Sequence, residues 1–144
     1  MKSTITFSAA LIVAGLAVVL WPEQDQEARA SADAPSTGAP LADVILPDTL
    51  SQNAQIGQRA YEVNCAACHG ANAAGQEGVA PPLVHKIYER GHHGDESFQR
   101  AAAMGVQAHH WRFGDMPPVE GITRADVSFI IAYIRELQRA NGIN

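Results

Sequence analysis

Apolar positions change their spacing twice along the 144-residue chain. From Ile5 to Trp21 they are almost continuous, with Thr6 and Ser8 the only polar side chains among them. A bilayer-spanning helix takes ~17–25 residues, so this run sits at the short edge of that range. It exceeds the apolar core of a secretory signal, ~7–15 residues. A cleavage-like Ala28-x-Ala30 follows, but far beyond Leu20 for ordinary cleavage. Residues 1–21 therefore read as an uncleaved signal-anchor, a transmembrane helix in preference to a cleaved signal peptide. Trp21 suits the membrane–water boundary, and Lys2 favours an inside amino terminus. Either fate sends the rest of the chain across a membrane, and a bacterial periplasm suits it.

Residues 22–48 lose the apolar run. Glu23, Asp25, Glu27, Asp33, Asp43 and Asp48 are spread among Ala, Ser and Pro, with Arg29 the one positive charge. Few large apolar groups are present to offset the entropy of ordering. The segment reads as a flexible, self-repelling linker.

From residue 49 the spacing becomes helical. Ser51 or Asp48 can cap a helix running to about Val63, with Ile56, Gly57, Ala60, Tyr61 and Val63 as its apolar and small positions. Gly57 and Tyr61 are four apart and share a face. A glycine inside a helix costs ~1 kcal/mol relative to alanine, which predicts close approach by a second helix. Residues 84–90 read as a short helix. Asp95 reads as the cap of a helix to Met104, stopped by Gly105. The last helix starts at Thr123-Arg-Ala-Asp126, a capping-box pattern. It carries Val127, Ile130, Ile131, Ile134 and Leu137 at helical spacing and closes at Asn141-Gly142. No stretch has the alternation of a strand. The fold class predicted is all-α, with four to five helices in a domain at residues 49–144.

Charge refines this division. The net charge of −5 divides as +1 for residues 1–21, −5 for 22–48 and −1 for 49–144. The acidity belongs to the linker, and no basic patch points to nucleic acid.

The chemistry enters at Cys65-Ala66-Ala67-Cys68-His69, which holds both cysteines of the chain. Thioredoxin-type redox motifs accompany a βαβ pattern, which is missing here. Structural zinc needs four ligands, and this pentapeptide offers three. A plain disulfide leaves the adjacent histidine without a role. Cys-x-x-Cys-His is the pattern of covalent c-type haem attachment. On one helical turn both thiols face the same side, and His69 is then placed to bond the iron. A metal-bound imidazole needs an acceptor for its second nitrogen, commonly a carbonyl. The stiff loop through Pro81 and Pro82 can return to supply one, with Leu83 packing on the haem. Downstream, Met116 lies in a loop and is followed by Pro117-Pro118, whose fixed φ angles stiffen it. Its thioether is the candidate sixth ligand.

With these parts placed, residues 49–144 resemble a class I (mitochondrial-type) monohaem cytochrome c. The resemblance rests on the helix with Gly57 and Tyr61, Cys65-x-x-Cys68-His69, Pro81-Pro82-Leu83, Gly114-x-Met116-Pro117, and the last helix with Tyr133, Ile134 and Leu137. It implies one covalent haem on Cys65 and Cys68, axial ligands His69 and Met116, and the Pro81 carbonyl accepting the His69 ring N–H. It also implies that the Gly57–Tyr61 face crosses the last helix near Tyr133.

The function implied is one-electron transfer between a membrane reductase and a terminal acceptor, with redox proteins as partners. The alternative is a haem subunit of an oxidoreductase complex, or a copper-associated cytochrome. The latter is raised by His92, His93, His109 and His110, since imidazoles suit copper. His85 completes the histidines outside the haem motif. His109 and His110 also compete with Met116 as the sixth ligand.

Overall fold

The computed structural model describes residues 38–144. The apolar run at 1–21 and the linker as far as residue 37 lie outside the described residues. The elements are α1 (Gln52–Asn64), α2 (Ala66–His69), α3 (Asp95–Met104) and α4 (Arg124–Ala140), with 3₁₀ turns at Ala71–Ala73 and Lys86–Tyr88. Extended pairing among the described residues is limited to two isolated bridges, Gln76 with Ala80 and Val106 with Met116. The described part is thus all-α, with four helices. None of them is long and apolar enough to cross a membrane.

The frame is the packing of α1 on α4. Ser51 caps α1, its Oγ accepting from Ala54 N, and it also binds the Glu136 carboxylate of α4 through both Oγ (2.6 Å) and N (3.0 Å). Gly57 is where the helices meet. A Cβ there would fall 1.8 Å from the Phe129 carbonyl oxygen of α4, so only glycine permits this approach. One turn on, Tyr61 and Tyr133 pack with ring centroids 5.6 Å apart. Both are almost fully buried, and each hydroxyl finds a partner: Tyr61 donates to Gly70 O, and Tyr133 to Asn72 Oδ1. Ala54, Leu83, Val84, Ile130, Ile134 and Leu137 complete the core. Val63, expected among the apolar positions of α1, is exposed.

The capping box at α4 is present in full: Thr123 Oγ1 accepts from Asp126 N, and the Asp126 carboxylate accepts from Thr123 N. Two local expectations change. Asp95 is not the cap of α3; Gly94 holds that position without a side-chain bond. Asp95 sits in the first turn and is drawn into ion pairs with Arg135 (2.8 Å) and Arg90 (3.1 Å). Residues 84–90 form one 3₁₀ turn in place of a short helix, with His85 Nδ1 accepting from Ile87 N at its start.

The boundary expected at 48/49 falls within the described unit. Gly38 N donates to Glu77 O, Leu41 N and Ala42 N donate to Ala74 O, and the Asn141 side chain bonds both the N–H and the carbonyl of Ile45. These bonds use the segment's own backbone groups, and Val44 adds an apolar contact with the core.

Candidate functional site

The four-residue helix α2 carries the Cys-x-x-Cys-His motif and is locked from both ends. Tyr61 holds Gly70 O behind it, and Gln76 Nε2 lies within 2.8–3.2 Å of the carbonyl oxygens of Ala66, Ala67 and Cys68. Gln76 thereby serves the Ala67 and Cys68 carbonyls at the helix end and adds to the Gly70 N bond on Ala66 O. The two cysteines form no disulfide. Burial, and after it the neighbouring Cys68, pushes the Cys65 thiol up to about 11. A reactive redox cysteine needs a lowered pKa and a ready thiolate, so Cys65 is the opposite of a thioredoxin-type nucleophile.

His69 is oriented by one bond. Its Nδ1 lies 2.9 Å from Pro81 O, and a carbonyl can only accept, so Nδ1 carries the proton and Nε2 the lone pair. Burial lowers the His69 pKa, outweighing the opposing effect of the Pro81 bond. The imidazole is therefore biased to the neutral form that a metal requires. Leu83 N donates to Ala73 O, which seats the loop carrying Pro81 against the core.

Met116 comes from a separate segment. It is bound to Val106 by a reciprocal pair of backbone bonds, 2.9 Å each way. Gly105 makes that pairing possible. Its φ is +75°, and a Cβ on it would lie 2.4 Å from Met116 O. Pro117 and Pro118 follow directly.

These pieces surround one cavity of about 510 Å³. Cys65, Cys68, His69, Pro81, Leu83 and Met116 all line it, and Phe98, Val127, Ile130 and Ile134 form apolar wall. The volume lies within the ~300–1,000 Å³ of cofactor and ligand sites. The donor set, two cysteines and an oriented imidazole at an apolar cleft with Met116 among its lining residues, fits a covalently attached haem.

The remaining histidines divide. His85 packs edge-on against Trp111, with centroids 5.0 Å apart. His92, His93 and His110 converge so that one ligand atom of each lies within 4.8 Å of the others. His109 lies beside them without joining that triple, its ring 4.3 Å from that of His110. Loss of surrounding water, followed by the charges of His109, His93 and His92, lowers the His110 pKa.

One organising residue is absent from the sequence reading. Arg135, 3% exposed, sits on the buried face of α4 four residues after Ile131. It pairs with Asp95, donates to Tyr88 O and to His93 O (2.8 Å), bonds Gln138 Oε1 (2.6 Å), and lies 5.0 Å over the Phe98 ring. It thereby ties the start of α3 and the loop before it to the last helix. The only signal in the sequence is a charge placed where the helical stripe predicts an apolar residue.

A search of curated proteins finds none that matches this chain. The protein-family model described as Cytochrome c matches residues 54–138, from the first turn of α1 to the last turn of α4. That span includes the motif helix, the Pro81 loop and Met116, and the chain accordingly belongs to the cytochrome c family, electron-transfer proteins that carry covalently bound haem c.

Proposed function

We propose that this protein is a class I, monohaem electron carrier with His69 and Met116 as axial ligands, tethered to the outer face of a bacterial inner membrane by residues 1–21. The observation that carries the reading is that Cys65, Cys68, the His69 imidazole oriented by Pro81 O, and Met116 line one largely apolar cavity. Haem c attached there through Cys65 and Cys68 supplies a ferric/ferrous couple, whose potential Met/His ligation raises.

The chain's own residues do the rest. Pro81 O holds the His69 Nδ1 proton and so presents Nε2 to the cavity. The Val106–Met116 backbone pair and the two prolines fix the backbone from which the Met116 thioether would reach the iron. Leu83, Phe98, Val127, Ile130 and Ile134 exclude water and disfavour added positive charge at the centre. A carrier with both axial positions filled by side chains leaves no open site for a substrate. Its partners are redox proteins, a membrane reductase on one side and a terminal acceptor on the other, met through weak encounters of small area. The acidic linker from residue 22 onward joins anchor to domain, and tethering raises the effective concentration of those partners.

Intact-mass measurement on the purified protein tests the attachment. One haem per chain is expected, removed from the mass when Cys65 and Cys68 are both changed to Ser. Two haems, or none in protein made by a strain that matures c-type cytochromes, would overturn the reading. Membrane fractionation tests the tether: the full chain should sediment with membranes and resist high salt. A chain of residues 22–144 exported by a cleavable signal should stay in the soluble fraction.

A further inference from the structure

His92, His93 and His110 come from two loops flanking α3 and are brought together by the tertiary structure. Arg135 holds the first loop through His93 O, and Asp115 Oδ1 accepts from Ala108 N (2.8 Å) to steady the second. His92 Nε2 and His110 Nε2 face each other at 3.3 Å. At that separation the two rings can share one N–H···N hydrogen bond when no ion is bound. Two nitrogens bound tetrahedrally to one ion at ~2.0–2.1 Å stand about 3.3 Å apart, which matches the separation observed.

The outer contacts agree. His93 Nδ1 lies 2.7 Å from Ile87 O, so Nδ1 carries the proton and Nε2 keeps a lone pair. A backbone carbonyl on the second ring nitrogen is the device that orients metal-binding histidines. His109 is fixed in the same tautomer by Gln107 O at 2.8 Å, and its ring flanks that of His110. The converging group contains no carboxylate, which disfavours hard cations such as magnesium and calcium. Imidazole suits zinc, copper and nickel, and among the divalent ions copper binds most tightly to a given nitrogen site.

We propose that His92, His93 and His110 form a three-imidazole site for a divalent late transition-metal ion, holding Cu(II) more tightly than Zn(II), with a fourth position open. His93 and His110 also line the cavity assigned to haem, so the ion would sit at its rim. The site needs the fold of the two loops and a His110 that does not bind the iron, and so rests on the Met116 ligation proposed above, which the absorption spectrum reads separately.

The test uses the haem-loaded protein without a polyhistidine tag, titrated with Cu(II) alone and then with Zn(II) as competitor. One saturating equivalent of Cu(II) is expected, with electron paramagnetic resonance showing hyperfine coupling to three imidazole nitrogens. Even outer contacts of a metal site are worth ~10–100-fold in affinity, so His92→Ala/His110→Ala should weaken binding by about a hundredfold or more. The His92 side chain is exposed and is not part of the cavity lining, so His92→Ala alone should weaken Cu(II) binding by about tenfold or more while the haem absorption and the melting curve stay unchanged. Non-saturating uptake by the parent protein, a spectrum lacking imidazole nitrogens, or undiminished binding by the double variant would each overturn the site. Any of these outcomes would mean that the histidines are solvated and serve no metal.

Discussion

The cavity has two unlike walls. One is the α1–α4 crossing with the motif helix seated against it, where backbone meets backbone at Gly57 and Phe129 and two buried tyrosines fill the next turn. The other is built from the segments around α3, with exposed imidazoles and a methionine held by one backbone pair. The first wall is set by helix packing and holds the attachment motif. The second is set by a few polar ties and holds the side chains that complete or modify the site. A rigid wall fixes where a cofactor is attached, and a loop wall can vary what meets it from the other side.

Both walls face the cofactor, so its loss should have the largest effect. An emptied cavity of about 510 Å³ costs at most on the order of 10 kcal/mol at about 24 cal/mol per Å³. That is an upper figure, because the cleft reaches the exposed Cys68. It is comparable with the whole stability of a domain, ~5–15 kcal/mol. The Cys65→Ala/Cys68→Ala chain without haem should therefore be largely unfolded. A cooperative, native-like melt followed by circular dichroism would contradict this.

Gly57→Ala should break the packed wall next. The added Cβ meets rigid backbone, so the helices must part, at about 3 kcal/mol or more, despite the ~1 kcal/mol gain in helix propensity. Denaturant unfolding of the holoprotein would measure it. Arg135→Met should loosen the loop wall by about 2–4 kcal/mol, since the His93 carbonyl and Gln138 Oε1 lose the Arg135 donor and Tyr88 O keeps only Gln138 Nε2. Hydrogen exchange should then quicken around Tyr88–His93 while α1 stays protected. Thr123→Ala removes one cap of α4 and should cost about 1 kcal/mol, with little change at either wall. Smallest of all, loading Zn(II) at the histidine triple should raise the haem potential by tens of millivolts, because a nearby positive charge disfavours the ferric state. An unchanged potential at full zinc occupancy would place the ion too far from the cavity to matter.

The same contrast decides what was legible in the sequence. Gly57 and Tyr61 point to the crossing because their spacing puts them on one helix face, and the Thr123–Asp126 box is a local pattern with a local cause. The Cys-x-x-Cys-His motif is equally local. Arg135 is different: its partners lie on a distant loop and at the start of α3, and no local rule explains a buried charge. The histidines show both cases. Their abundance is visible in the sequence, but His92 and His110 are 18 residues apart, and only the tertiary ties decide that they converge while His85 caps a turn. Asp95 departs from the local capping pattern for a similar reason, since a buried guanidinium competes for its carboxylate.

The central claim, that side chains from both walls fill the two axial positions, is tested most directly by absorption spectra of the ferric and ferrous holoprotein before and after carbon monoxide. The account predicts the weak long-wavelength band of methionine sulfur on ferric iron, lost in Met116→Ala, and a ferrous spectrum that carbon monoxide leaves unchanged. A missing band with no carbon monoxide binding would hand the sixth position to His109 or His110. Ready binding of carbon monoxide would show an open iron and contradict the electron-carrier reading.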